Sequence, residues 1–248
     1  MHDSGSRTRQ IRRSLSQLAH SRLPWWVISL LACIHAWIEL GGGASQMSGW
    51  YERLGLTRDG VFSGQVWQIF TYGLLHGGWP HLAVNVICVF LLGTKIEHII
   101  GSTGLAKLLT LGVIGGGVGH VLLSPGGEAA PVLVGFSGAV VAMLIWTTTV
   151  SPESRMWPLP LSGRTLGLGI LSAEWFLAMA NPALKLPGFS WVGNWLVGHG
   201  MGPWFTVGHA CHFGGGMAGW LLARWALRPR TTLKSLRRDR ARQEAGME

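Results

Sequence analysis

The sequence predicts an all-α membrane protein, a bundle of six crossing helices with a long first outer loop lying at the membrane interface. Three observations lead there. Of the 248 residues, 48% are hydrophobic and only 12% are charged, about half the charge of an average soluble domain. Six apolar runs of 19–20 residues follow one another, at 24–43, 79–97, 104–123, 131–150, 165–183 and 205–224. Each matches the ~20 residues that a helix rising ~1.5 Å per residue needs to cross ~30 Å of hydrocarbon. The runs are continuously apolar rather than alternating, which favours helices over a barrel. Third, the basic residues gather at the two ends, as positive-inside topology requires.

Residues 1–23 carry five Arg against one Asp. They read as a cytosolic N-terminal tail. An organellar transit peptide is the alternative, because the segment is Ser- and Arg-rich and poor in acids. The first run, 24–43, shows no small-x-small site followed by a soluble domain, so no cleavable signal peptide is expected. The outer loop 44–78 carries Trp50, Tyr51, Phe62, Trp67, Phe70 and Tyr72, a content that suits the interface better than a solvated linker. The second to fifth runs follow with shorter connections. A second outer loop, 184–204, with Pro187, Gly188, Trp191, Trp195 and Trp204, reads as a mobile cap before the sixth run. Residues 228–248 form a second basic cytosolic tail, which leaves 24–227 as one membrane domain.

Residues 1–23 and 224–248 together hold 13 of the 20 Lys and Arg and 4 of the 11 acids, the whole of the +9 net charge. With both termini inside, Lys95, Lys107, Arg155 and Arg164 also fall inside, and Arg53, Arg58 and Lys185 fall outside. The balance is 17 basic residues inside and 3 outside. The expected location is the plasma membrane (the inner membrane of a bacterium) with cytoplasmic termini; an organellar membrane is the alternative. Charge confined to the ends argues against a nucleic-acid partner; the partner it implies is the lipid bilayer. Cys33, Cys88 and Cys211 lie in apolar runs without a CxxC pair and read as buried small hydrophobes.

Polar groups within spans are expensive, so they are the first candidates for function. In His76-Gly-Gly-Trp-Pro80-His81-Leu-Ala-Val-Asn85, Pro80 suits the first turn of a helix, and His81 and Asn85 share one face. His76 precedes the helix and can tie the loop down. In Gly135-Phe136-Ser137-Gly138-Ala139, the glycines allow a tight loop-to-helix turn with Ser137 at a helix N-terminus. The run partly matches a nucleophile elbow, with Ala139 in place of the final Gly. In His212-Phe-Gly-Gly215-Gly-Met-Ala-Gly219, the His and both glycines share one face, and the glycines permit close approach to Gly138 and Ala142. Each stretch alone also reads blandly, as an interfacial helix start or as small-residue packing. His209 and His212, three apart, raise a metal or haem pair as an alternative, but no further ligand set converges and neither metal nor cofactor is expected.

Depth joins the three stretches. Counting from Pro131, Phe205 and Pro80, Ser137 lies about 9 Å below the outer boundary, His212 about 10 Å and Asn85 about 7–8 Å. A serine is a poor nucleophile until a base takes its proton; His212 can be that base. His81, Asn85 and the Ser137 backbone N–H can serve the oxyanion. No carboxylate is expected in the same layer, so the chemistry is that of a Ser137–His212 dyad. Glu174, mid-span beside Trp175 and Phe176, is either a neutral hydrogen-bonded acid or a cavity-lining one.

These residues resemble the rhomboid family of intramembrane serine proteases. The family's His-x4-His-x3-Asn matches His76, His81 and Asn85. Its Gly-x-Ser-Gly matches Gly135, Ser137 and Gly138, and its His-x2-Gly-x3-Gly matches His212, Gly215 and Gly219. Its Gly-x3-Glu-x3-Gly matches Gly93, Glu97 and Gly101. The similarity covers most of residues 50–225. It implies a six-helix rhomboid core, transmembrane proteins as substrates, and a cut near the outer face, commonly after a small residue. It also implies a fifth span acting as a lateral gate. The chain departs from the family in three places. Trp67-Gln68 stands for a Trp-Arg pair, Cys211 for an Ala, and Val141 for an aromatic that often stacks on the His, so His212 must be oriented by something else. A catalytically inactive, rhomboid-like binder of transmembrane segments is the alternative function.

Overall fold

A computed structural model describes residues 22–127, 132–156, 158–228 and 233–246. The expectations for residues 1–21 and for Pro131 lie outside these. Among the described residues every named element is helical, and the only β pairing is two isolated bridges. The fold is all-α, as expected.

Helix α1 (Leu23–Leu40) carries Pro24 in its first turn, where a missing N–H is harmless. Helix α2 (Trp79–Cys88) begins with Pro80 in the same role and passes through a π turn, Val89–Gly93, into α3 (Thr94–Leu123). The whole run, Trp79–Leu123, is continuous but for Gly101 (φ 72°, ψ 169°). That conformation is open to glycine and closed to most L-residues, so Gly101 divides the run into arms 79–100 and 102–123. The expected connection at 98–103 thus shrinks to a single residue.

The Gly93-x3-Glu97-x3-Gly101 pattern has a physical reading. A Cβ at Gly93 would press on Pro24 of α1. Buried Glu97 accepts from the Leu23 N–H at the start of α1 (3.3 Å) and from the Ser102 hydroxyl just past the break (2.6 Å). One carboxylate therefore holds three chain segments together.

Helix α4 spans Ser137–Val150 and α5 spans Gly163–Met179, the latter capped by Ser162, which accepts from the Thr165 N–H. Helices α6 (Phe189–Leu196), α7 (His209–Ala226) and α8 (Leu233–Ala245) follow. The fourth and sixth runs start later than their apolar limits suggest. Residues 132–135 are non-helical and lead into α4, and a 3₁₀ turn, Gly202–Thr206, precedes α7. The loop 184–204 is not simply a cap, since α6 occupies its middle. There Gly193 packs on the Ala180 carbonyl, and Phe189 meets the rings of Trp175 and Phe176 at 5.7 and 6.1 Å.

Helix α7 fits between α3 and α4 through residues without bulk. A Cβ on Gly215 would strike the Gly138 carbonyl, and one on Gly219 the Ala142 carbonyl. Gly115 and Gly119 of α3 face Gly214 in the same way. Close backbone-to-backbone packing thus brings the three helices together. Around this seam lie buried Leu105, Leu108, Val113, Ala139, Met143 and Cys211.

The segment between α1 and α2 is a chain of short helices tied to this frame. Fully buried Tyr72 donates to the Val113 carbonyl (2.8 Å). Gln68, where the family has Arg, is also buried; its amide donates to the Glu52 carbonyl (3.2 Å) and accepts from the Thr57 N–H (3.1 Å). The loop is thus anchored by a neutral amide. Leu56 exchanges both backbone hydrogen bonds with Leu133 (2.9 Å each), which joins the loop to the segment before Ser137.

Substituting Gly219→Leu should drive α7 off α4 and destabilise the fold by about 1–3 kcal/mol or more. Gly169→Leu, where a Cβ meets nothing within 4 Å, should leave stability near wild type. Thermal unfolding in detergent compares the two.

Candidate active site

Ser137 is the first residue of α4, and His212 sits in the first turn of α7. The backbone contact of Gly138 with Gly215 brings the two helix starts together, and the Ser137 Oγ lies 2.9 Å from His212 Nε2. The turn into α4 depends on Gly135 (φ +123°). A Cβ there would be strained by that angle and would also lie 2.6 Å from His81 Cε1.

The expectation that no carboxylate shares this layer is corrected. Glu174 of α5 reaches His212 Nδ1 with Oε1 (3.1 Å) and His209 Nδ1 with Oε2 (2.6 Å). The His209 Nε2 in turn meets the Trp204 carbonyl at 2.9 Å. The sequence flagged Glu174 as a costly intramembrane acid, but the partners that repay its burial lie 35 and 38 residues away on another helix. Val141, buried beside the site, supplies no aromatic face; the side chain that His212 Nδ1 meets is Glu174.

Hydrogen-bond roles follow from the partners. A carboxylate accepts, so His212 Nδ1 carries the hydrogen and Nε2 is left to accept from the Ser137 hydroxyl. That is the tautomer a general base requires. His209, His212 and Glu174 also bring one donor atom each to within 4.8 Å of one another, a set of a kind zinc accepts, so the expectation that no further ligand converges on the two histidines is corrected.

His76, before α2, is fully buried. Its backbone carbonyl accepts from the Tyr51 hydroxyl (2.8 Å), and its Nε2 lies 3.5 Å from the Phe136 N–H. Burial, with help from nearby His81 and His35, lowers its pKa to about 3, so the ring is neutral and Nε2 can accept. His76 thus links the first loop to the residue before Ser137. His81 packs edge-on against His76 at 5.2 Å. Asn85 donates one amide hydrogen to the His81 carbonyl (2.8 Å); an amide carries two. His81, Asn85, Ser137 and His212 all line one cavity of about 820 Å³, which also takes in His209 and His120.

A family model for the rhomboid domain matches residues 63–229. The chain belongs to the rhomboid family. Rhomboid proteins are membrane-embedded, which accords with two helical runs here, Leu23–Leu40 and Trp79–Leu123, that are long and apolar enough to cross a membrane. Over 80 residues it is 36% identical to human rhomboid-related protein 3, covering 32% of this chain and 19% of that protein. It is 31% identical over 122 residues to Arabidopsis thaliana RHOMBOID-like protein 7, covering 45% and 37%. To RHOMBOID-like protein 5 of the same plant it is 30% identical over 100 residues, covering 38% and 32%. The chain therefore spans well under half the length of these rhomboid relatives.

Gly135→Ala should displace His81 and the approach to α4, lowering the unfolding temperature. An unchanged melting curve would contradict the steric reading of that turn.

Proposed function

We propose that this chain is an intramembrane serine endopeptidase that cleaves transmembrane segments of other proteins near the extracytoplasmic face. The observation that carries the reading is the 2.9 Å contact of Ser137 Oγ with His212 Nε2 at the wall of the cavity.

Ser137 is the nucleophile. As its oxygen attacks a substrate carbonyl carbon, its proton passes to His212 Nε2. The Ser137 N–H, at a helix N-terminus where backbone donors lack a partner one turn back, meets the oxyanion with His81 and Asn85 beside it. His212 then gives the proton to the departing amine, leaving an ester on Ser137. Water, admitted by the cavity, attacks that ester while His212 accepts its proton, and the proton returns to Ser137 as the acid leaves. Gly135, Gly138, Gly215, Gly219 and His76 support this arrangement without touching the reacting atoms.

In the same reading, residues 24–227 are a membrane domain with six crossings, set between the basic tails 1–23 and 228–248 on the cytoplasmic side of the plasma membrane. The charge asymmetry of 17 to 3 supports that orientation. The first outer loop rides at the interface, where its exposed Trp50, Phe62, Trp67 and Phe70 find the environment that aromatic side chains favour.

A fluorophosphonate probe should label the wild-type protein, and Ser137→Ala and His212→Ala should reduce labelling to background. Co-expressed single-pass proteins should release an ectodomain with wild type only. A folded wild type that takes no label would favour a binder of transmembrane segments that does not cut.

A further inference from the structure

Glu174 and His209 form a second layer behind the proposed Ser137–His212 pair. The chain of contacts runs from Ser137 Oγ to His212, through Glu174, to His209, and ends on the Trp204 carbonyl, with spacings of 2.9, 3.1, 2.6 and 2.9 Å. All three ionisable side chains are largely enclosed, their side chains 11% (His209), 18% (Glu174) and 16% (His212) exposed.

The end of the chain fixes the proton count. A carbonyl only accepts, so His209 Nε2 must carry a hydrogen toward Trp204. If His209 held that hydrogen alone, its bare Nδ1 would face the bare Oε2 of Glu174, two acceptors at 2.6 Å. One more proton must therefore lie between them, either on Nδ1 (imidazolium with carboxylate) or on Oε2 (imidazole with carboxylic acid). In both forms the Glu174–His209 unit has no net charge, and Oε1 still accepts from His212 Nδ1–H. A lone carboxylate in this layer would be costly to bury, and sharing the proton removes that cost. Among the described residues, His81 and His120 are the other titratable side chains lining the cavity.

We propose that Glu174 and His209 are positioning residues for the reaction: together they hold one proton and a fixed acceptor that keeps His212 in its Nδ1–H form, aimed at Ser137. This rests on the serine-protease reading above. It extends the expected dyad by an acid from α5 and a second imidazole that orients the acid. Positioning partners of this kind act by fixing tautomer and orientation rather than by taking the substrate's proton.

The test is the rate at which a fluorophosphonate labels Ser137 in the full-length protein in detergent. Glu174→Leu should slow labelling about 10²-fold, with the half-saturating probe concentration little changed. Glu174→Gln should recover part of the rate, since its amide accepts from His212 and donates to His209. A merely structural role predicts the reverse order, because Leu suits an apolar helix better than Gln. His209→Leu should slow labelling in the same direction, and the double variant should be no slower than Glu174→Leu alone, as for residues acting through one another. Nitrogen-15 spectra of wild type should show His212 protonated on Nδ1 and bare on Nε2, which tests the proposal even where a variant fails to fold. Equal labelling of wild type and Glu174→Leu, or a bare His212 Nδ1, overturns this proposal and leaves the protease reading standing. No labelling of folded wild type overturns both.

Discussion

Helices α4 and α7 meet backbone to backbone, Gly138 under Gly215 and Ala142 under Gly219. That contact sets the separation of two helix starts to the reach of a serine and an imidazole. A Cβ at Gly215 would strike the Gly138 carbonyl and push the two helix starts apart. In a bilayer such a seam also carries much of the association, because lipid offers no hydrophobic drive between helices. Packing and chemistry therefore rest on the same few glycines, so a loss of bulk that is neutral elsewhere is mandatory here.

A second set of ties is polar. Glu97 binds the start of α1 to the Gly101 break, Tyr72 reaches the α3 carbonyl at Val113, and His76 joins Tyr51 to Phe136. Each pairs a side chain with a backbone group or hydroxyl of another segment. Their common effect is to hold the first loop and the approach to α4 in one register. The site is thus built on rigid helices but aimed by loop contacts.

The glycine seam was legible in the sequence because helical periodicity places His212, Gly215 and Gly219 on one face, and two helices can approach closely only where such faces lack bulk. The all-α class was legible from the length and continuity of the apolar runs. Glu174 was visible as an anomaly but its role was not. Its partners lie on α7, and the rotation of α5 about its own axis is set by contacts no local pattern encodes. The anchoring work of Gln68 was hidden for a similar reason: an amide can replace a guanidinium only if the carbonyl and N–H it meets, at Glu52 and Thr57, are already in place. Helix starts at Ser137 and His209 were set by non-helical segments before them rather than by the limits of hydropathy.

The paired backbone bonds between Leu56 and Leu133 make the chain of short helices before α2 and the extended stretch ahead of Ser137 one mechanical piece. A displacement of the segment before α2 is therefore carried directly to Leu133, four residues ahead of Ser137, and from there into the turn that starts α4.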